Sequence, residues 1–239
     1  MNSQLFLILG AAGSGRAEFL AGLLEENSRL IVHVDEKAAA IAAGIPPENL
    51  VPWKWIEGCI AIGGNIPPGS EIFFMAHGRE SPVTLVEGIR DWMEGKPVEL
   101  SRILTVVNCR LLYENEKLGG WYDACIHFSD AVLLGGRKEV PNRWVDGFID
   151  SYRSRNFPCI FRLVKKNRVD RPAELLIPQA RRISLAFEDP EDGWDEQGNP
   201  VVELYFERDE AGRRKKWVPE ISVFLESEKS QFESEELPG

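Results

Sequence analysis

Leu5-Phe6-Leu7-Ile8-Leu9-Gly10-Ala11-Ala12-Gly13-Ser14-Gly15-Arg16-Ala17-Glu18-Phe19-Leu20 is the stretch that decides the fold. The apolar run over 5–9 reads as a buried strand. Glycines at 10, 13 and 15 make a turn. Phe19, Leu20, Leu23 and Leu24 then recur at helical spacing. Strand, glycine-rich turn and helix in this order have the layout of a phosphate-binding loop. Its backbone N–H groups converge on one cavity, and the start of the helix adds positive dipole. The candidate phosphate-binding residues are therefore Gly10, Gly13, Ser14, Gly15, Arg16 and Ala17.

Such a loop normally ends in a Lys for the terminal phosphates and a Ser or Thr hydroxyl for Mg²⁺. Arg16 and Ala17 stand at those places. A guanidinium contacts phosphate bidentately but is bulkier and planar, so it does not simply replace an ammonium. Ala17 coordinates nothing. The sequence thus predicts an anion cradle without its metal ligand.

The rest of the chain is consistent with a soluble protein. It has 239 residues, 44% hydrophobic and 28% charged, enough for one substantial core and a small appendage. A formal net charge of −10 disfavours general binding to nucleic acid or acidic membranes. No apolar run approaches membrane-spanning length. The N-terminal apolar run flows into the glycine turn and reads as a core strand, not a signal peptide. Cys59, Cys109, Cys125 and Cys159 form no C-x-x-C pair, and a reducing cytoplasm is expected.

Strand-like and helix-like segments alternate up to about residue 165. Residues 30–34, 71–75, 103–107, 131–134 and 159–164 read as strands. Residues 82–93 have helical spacing, with Val83, Val86, Ile89 and Trp92 on one face, and 144–152 read as another helix. Crossover helices between strands imply a mainly parallel sheet covered on both faces, a three-layer α/β domain. Ligands of such sheets sit at the C-terminal strand ends, where Gly10, Asp35, Gly78, Asn108 and Gly135 fall. The expected organisation is a nucleotide-binding domain over 1–168, a small antiparallel β extension over 169–225, and an acidic, disordered tail over 226–239. The extension's strands are expected at 182–188, 201–208 and 217–225, with a hairpin turn at 209–212.

Several segments in order resemble the CobW-type metallochaperone GTPases, relatives of UreG and HypB. The family's G-x-x-G-x-G-K-[ST] loop corresponds to Gly10 to Ala17, and its strand ending in Asn-Glu to Asp35-Glu36. Its Gly-Cys-x-Cys-Cys metal motif corresponds to Gly58-Cys59-Ile60-Ala61-Ile62. Its Glu-Thr-Thr-Gly segment, with a Pro four residues on, corresponds to Met75-Ala76-His77-Gly78 and Pro82. Its Thr-Val-Val-Asp strand end resembles Thr105-Val106-Val107-Asn108, and its base-recognition segment resembles residues 129–138. The resemblance covers about residues 4–165 and implies a P-loop nucleotide-binding fold.

The departures fall on the reactive side chains. Besides Arg16 and Ala17, two of three metal thiols are Ala61 and Ile62, and the acid of the third segment is Met75. The residues flanking guanine are Gly135 and Gly136. The guanine-reading carboxylate is Lys138, which can only donate where guanine N1–H and N2–H also donate. The resemblance therefore implies a pseudo-GTPase that acts by binding a protein partner, with no catalytic residue and no thiolate metal site. Phosphate or sulfate would occupy the loop, and GTP or ATP would bind weakly.

The alternative is a working nucleoside-triphosphatase of altered base preference, or a metallochaperone, with Asp35 or Glu36 contacting Mg²⁺. A small-molecule kinase would need a carboxylate such as Asp35 or Asp130. His33, His77 and Cys59 could converge through the fold but read first as core or loop residues with no ligand role, and His77 falls where it could orient a water only if a nucleotide is bound. The acidic stretch 188–196 lacks the spacing of a calcium loop, and the basic run 213–216 reads as a solvated face.

Overall fold

The computed structural model describes residues 2–188 and 203–225. Eight strands form one sheet: β1 (Ser3–Leu9), β2 (Ser28–His33), β3 (Leu50–Ile56), β4 (Cys59–Ile62), β5 (Glu71–Met75), β6 (Val98–Asn108), β7 (Ala131–Gly135) and β8 (Ile160–Leu163). Their order is β4-β3-β2-β5-β1-β6-β7-β8. All neighbours pair in parallel except β3 and β4, which form an antiparallel hairpin at one edge. The helices are α1 (Arg16–Ala21), α2 (Lys37–Ala42), α3 (Pro82–Met93), α4 (Cys109–Glu114), α5 (Gly119–His127), α6 (Asn142–Arg153) and α7 (Ala173–Leu176).

The period of two in a strand divides the core. Leu5, Leu7 and Leu9 point to one face, where Ile72, Phe74, Ile103 and Val107 join them beneath α3, α4, α5 and α6. Phe6 and Ile8 point to the other, with Phe73, Met75, Leu104 and Val106, beneath α1, α2 and α7. Because both faces are covered, the central strands are continuous apolar runs rather than alternating ones. Each large side chain so buried, such as Phe74, contributes roughly 1.5–3 kcal/mol. The three-layer α/β arrangement expected from the sequence is the one found.

The β extension is a correction. Among the described residues no strand follows β8. The turn at 209–212 does form, with the Gly212 amide donating to the Asp209 carbonyl at 2.9 Å, but the only pairing across it is an isolated Arg208–Arg214 bridge. These segments are held by side chains instead of a ladder. Phe206 stacks on Phe128, and Tyr205 packs against the same ring at a tilt. Glu203 accepts from the Ser184 hydroxyl at 2.6 Å and the Leu185 amide at 3.1 Å. The apolar residues that suggested strands are thus anchors on the α5 side of the core. The tail over 226–239 and most of the acidic stretch 188–196 lie outside the described residues.

Candidate functional site

The loop after β1 lies at the C-terminal edge of the sheet, between β5 and β6. The pairing of β1 with β5 continues past both strands: the Ala76 amide donates to the Ile8 carbonyl at 3.0 Å, and the Ala12 amide to the Gly78 carbonyl at 2.9 Å. Gly78 must lack a side chain, because a Cβ there would collide with the Ala12 amide and the Arg16 guanidinium. Gly10 has φ +139°, and a Cβ on it would meet the Val106 carbonyl at 2.5 Å. Gly15, at φ 87°, forms the left-handed entry to α1. On the far side the Asn108 side-chain amide reaches the Gly13 carbonyl at 3.4 Å.

Arg16 does not extend into solvent from the helix start; its guanidinium folds back into the loop and is 4% exposed. One terminal nitrogen donates to the Ala76 carbonyl. The other donates to Glu36 Oε1 at 2.8 Å. The same carboxylate oxygen accepts from the Gly78 amide at 3.0 Å. Glu36 Oε2 is buried without a protein partner. The Ser14 hydroxyl is likewise buried and unpartnered. Arg16, Glu36, Ala76 and Gly78 thus tie the loop, the β2 end and the β5 end into one charge-assisted network.

A cavity of about 480 Å³ opens in front of the loop, lined by Gly13, Gly15, Arg16, Ala17, Asp35, Glu36, Met75, His77 and Arg79 among others. Every predicted loop residue from Gly10 to Ala17 is brought to this end of the sheet. Ala17 presents only a methyl, and Met75, 2% exposed, places apolar surface where the resemblance would put an acid.

His33 ends β2, Asp35 sits in the short 3₁₀ turn that follows, and His77 lies just past the neighbouring β5. The two imidazoles face each other with ring centroids 4.2 Å apart. His33 is braced edge-on against Trp53 at 4.8 Å. Its Nδ1 accepts from the Asp35 amide at 3.3 Å and lies 3.5 Å from Asp35 Oδ2. Burial first, and His33 second, hold His77 below the usual histidine range, with Glu36, Glu80 and Asp35 opposing. Of His33, His77 and Cys59, the fold brings only the two histidines together. Among the described residues, the potential metal-ligand group contains Asp35 as its third member, not Cys59. Cys59 is exposed at the start of the edge strand β4, while Ala61 and Ile62 pair with Lys54 and Trp53.

Elsewhere the structure reassigns sequence candidates. Asp130 precedes β7, at the sheet end opposite the loop, and is fully buried. It accepts from the Ile103 amide at 2.7 Å and pairs with Arg182 at 3.1 Å; it is a structural carboxylate. The segment after β7 that would read a base carries Gly136, whose carbonyl accepts from the Arg110 amide at 3.1 Å, and an exposed Lys138. The basic run 213–216 is matched within the chain: Arg213 by Asp209, Arg214 by Glu87, Lys215 by Glu207, and Lys216 over the Tyr205 ring. No described helix is long and apolar enough to cross a membrane.

The pairing of Arg16 with Glu36, twenty residues on, was not read from the sequence. The available signal was a cationic loop residue followed by a glutamate at the end of the next strand.

No family model and no curated protein matches the chain. Among solved structures, a Zn(II)-bound triple mutant of YjiA GTPase is similar at 15% identity and a TM-score of 0.45, over 74% of this chain and 62% of that one. Zn(II)-bound YjiA GTPase from E. coli is similar at 12% identity and a TM-score of 0.44, over 95% of this chain and 69% of that one. The chain thus spans less than two thirds of the length of the first. The ground for the fold remains the sheet order and the loop described above.

Proposed function

We propose that the chain is a degenerate P-loop protein, a pseudo-GTPase that acts by binding a protein partner and does not hydrolyse nucleotide. The observation that carries this reading is the engagement of Arg16. The residue in the phosphate-lysine position is spent on Glu36 and the Ala76 carbonyl. An incoming phosphate must compete with a carboxylate already in place. Mg-nucleotide does not fit the residues present: Ala17 offers no metal ligand, Met75 no acid and Lys138 no acceptor for guanine. The loop still has glycine-turn amides and a helix start, so phosphate or sulfate binds there weakly. GTP and ATP bind at micromolar affinity or weaker, with little dependence on Mg²⁺.

A second reading, a nucleoside-triphosphate-binding protein with relaxed base preference, is favoured by the cavity itself, which carries Asp35 and Glu36 on its wall. Titration calorimetry with GTP and ATP, with and without Mg²⁺, separates the two. Submicromolar binding that collapses on chelation would replace the first reading with the second.

A further inference from the structure

We propose that His33, Asp35 and His77 form a binding site for one first-row divalent cation such as zinc, a site of two imidazoles and a carboxylate at the C-terminal ends of β2 and β5. One ligand atom from each of the three residues lies within 4.8 Å of the others. Ligands bound about 2.1 Å from one tetrahedral ion are about 3.4 Å apart. Closure by up to about 1.4 Å therefore completes the set. Rotation of the Asp35 side chain, 72% exposed, can supply much of it.

The placement follows from the fold. The strands β2 and β5 are adjacent and parallel, in register from Ser28–Glu71 to Val32–Met75. Residues at or just past the ends of these strands, on the same edge, are forced into proximity. His33 is fixed by its packing on Trp53, whose indole N–H is itself held by the Met75 carbonyl at 3.1 Å. A pre-positioned ligand lowers the ordering cost of binding. Asp35 and His77 also line the cavity in front of the loop. Coordination positions left open by three protein ligands would face that cavity, so water or an anionic group completes the shell. Imidazole and carboxylate donors suit zinc and its neighbours better than calcium or magnesium.

This site uses none of the thiols. It goes beyond the pseudo-GTPase reading and does not depend on it: it stands whether or not the loop holds an anion. Zinc chloride titrated into the full chain by calorimetry should show one equivalent bound. Cobalt(II) should give visible absorption bands that zinc displaces. Asp35→Asn should weaken zinc binding on the order of tenfold or more, as loss of a ligand exceeds the usual effect of losing an outer-shell partner. His77→Ala should abolish the stoichiometric site, and Cys59→Ser should leave it unchanged. Circular dichroism checks that His77→Ala still folds; if it does not, Asp35→Asn, a change at an exposed side chain, decides alone. No zinc binding by the unmodified chain, equal binding in Asp35→Asn, or loss in Cys59→Ser would each overturn the assignment.

Discussion

Arg16 and Glu36 form an ion pair of 2.8 Å inside the loop, and both side chains are largely removed from solvent. The pair makes the loop self-neutralising. The charge that would attract phosphate is balanced by a residue at the end of the neighbouring chain segment, and Gly78 supports the same carboxylate through its amide.

Removing Glu36 should therefore cost stability and expose the cation. Breaking a buried pair by deleting one partner typically costs about 3–5 kcal/mol, because the other charge is left uncompensated. Glu36→Ala should melt well below the unmodified chain. Added phosphate or sulfate should then raise its melting temperature more than that of the parent, since an anion can replace the lost carboxylate. Thermal melts across an anion series test both parts; equal anion responses would count against an anion site at Arg16.

Gly78→Ala should destabilise by about 1–3 kcal/mol, the usual range for overpacking. The added methyl would push on the Ala12 amide and the Arg16 guanidinium, neither of which is free to retreat. Denaturant unfolding measures the loss. A neutral result would mean that the loop and the β5 end separate more readily than their hydrogen bonds suggest.

Much of this architecture was legible because local and tertiary signals agreed. Helix α3 was read over the residues it occupies, with Pro82 at its first turn and Val83, Val86 and Ile89 on the buried face. Strands β1, β5 and β7 are apolar on both faces and could hardly be mistaken. Strands β3 and β4 were missed because Pro52 and Lys54 interrupt the first and the second is short; Trp53, buried, is what anchors them. Helix α5 opens on two glycines and is buried nearly all round, so it shows no amphipathic period. The C-terminal segments failed in the other direction. Their β-like residues serve as side-chain anchors, and Glu203 holds Ser184 and Leu185 in place of a strand ladder. The glycines of the loop were visible in the sequence, but the fate of Arg16 was not, because its partner is set by which strand lies next to β5.

Glu203 gives the fold an acid-sensitive latch. Burial pushes its carboxyl up, but hydrogen bonds from His127 at 2.6 Å and Ser184 at 2.6 Å, with the His127 charge interaction, outweigh it and leave the group below the usual carboxylate range. A carboxyl held lower in the folded state than in the unfolded one, where it titrates near about 4.3, contributes stability above that value. The contribution disappears as pH falls through the lower folded value. Denaturant midpoints measured from pH 7 down to 3 should fall, and Glu203→Gln should flatten the acid limb while lowering stability at pH 7. An unchanged slope in the variant would assign the acid sensitivity to other carboxylates.

Rebuilding the loop should restore less than the family pattern would supply. Arg16→Lys with Ala17→Thr returns a point charge and a hydroxyl for Mg²⁺. The double variant should bind GTP and ATP more tightly and only with Mg²⁺ present. It should still not prefer guanine, because Lys138 donates where an acceptor is needed. Calorimetry with both nucleotides decides; a clear preference for GTP would mean that another group reads the base.

Catalysis is the most exacting test. Hydrolysis of a triphosphate needs charge stabilisation on the β- and γ-oxygens and a positioned water. Arg16 is the one cation at the loop's helix start, and it is already bound to Glu36 and the Ala76 carbonyl. Ala17 and Met75 supply neither a metal ligand nor an acid. The absent groups act chiefly on the transition state, so even a bound nucleotide should turn over no faster than in Arg16→Ala. Phosphate-release assays with GTP and ATP should show no difference between the two proteins. His77 lines the same cavity and could orient water, so His77→Ala serves as a further comparison and should also change nothing. Turnover by the unmodified chain at an enzymatic rate, on the order of 1 per second, abolished by Arg16→Ala, would show that Arg16 leaves Glu36 when nucleotide arrives. The loop would then be a gated active site instead of a plugged one.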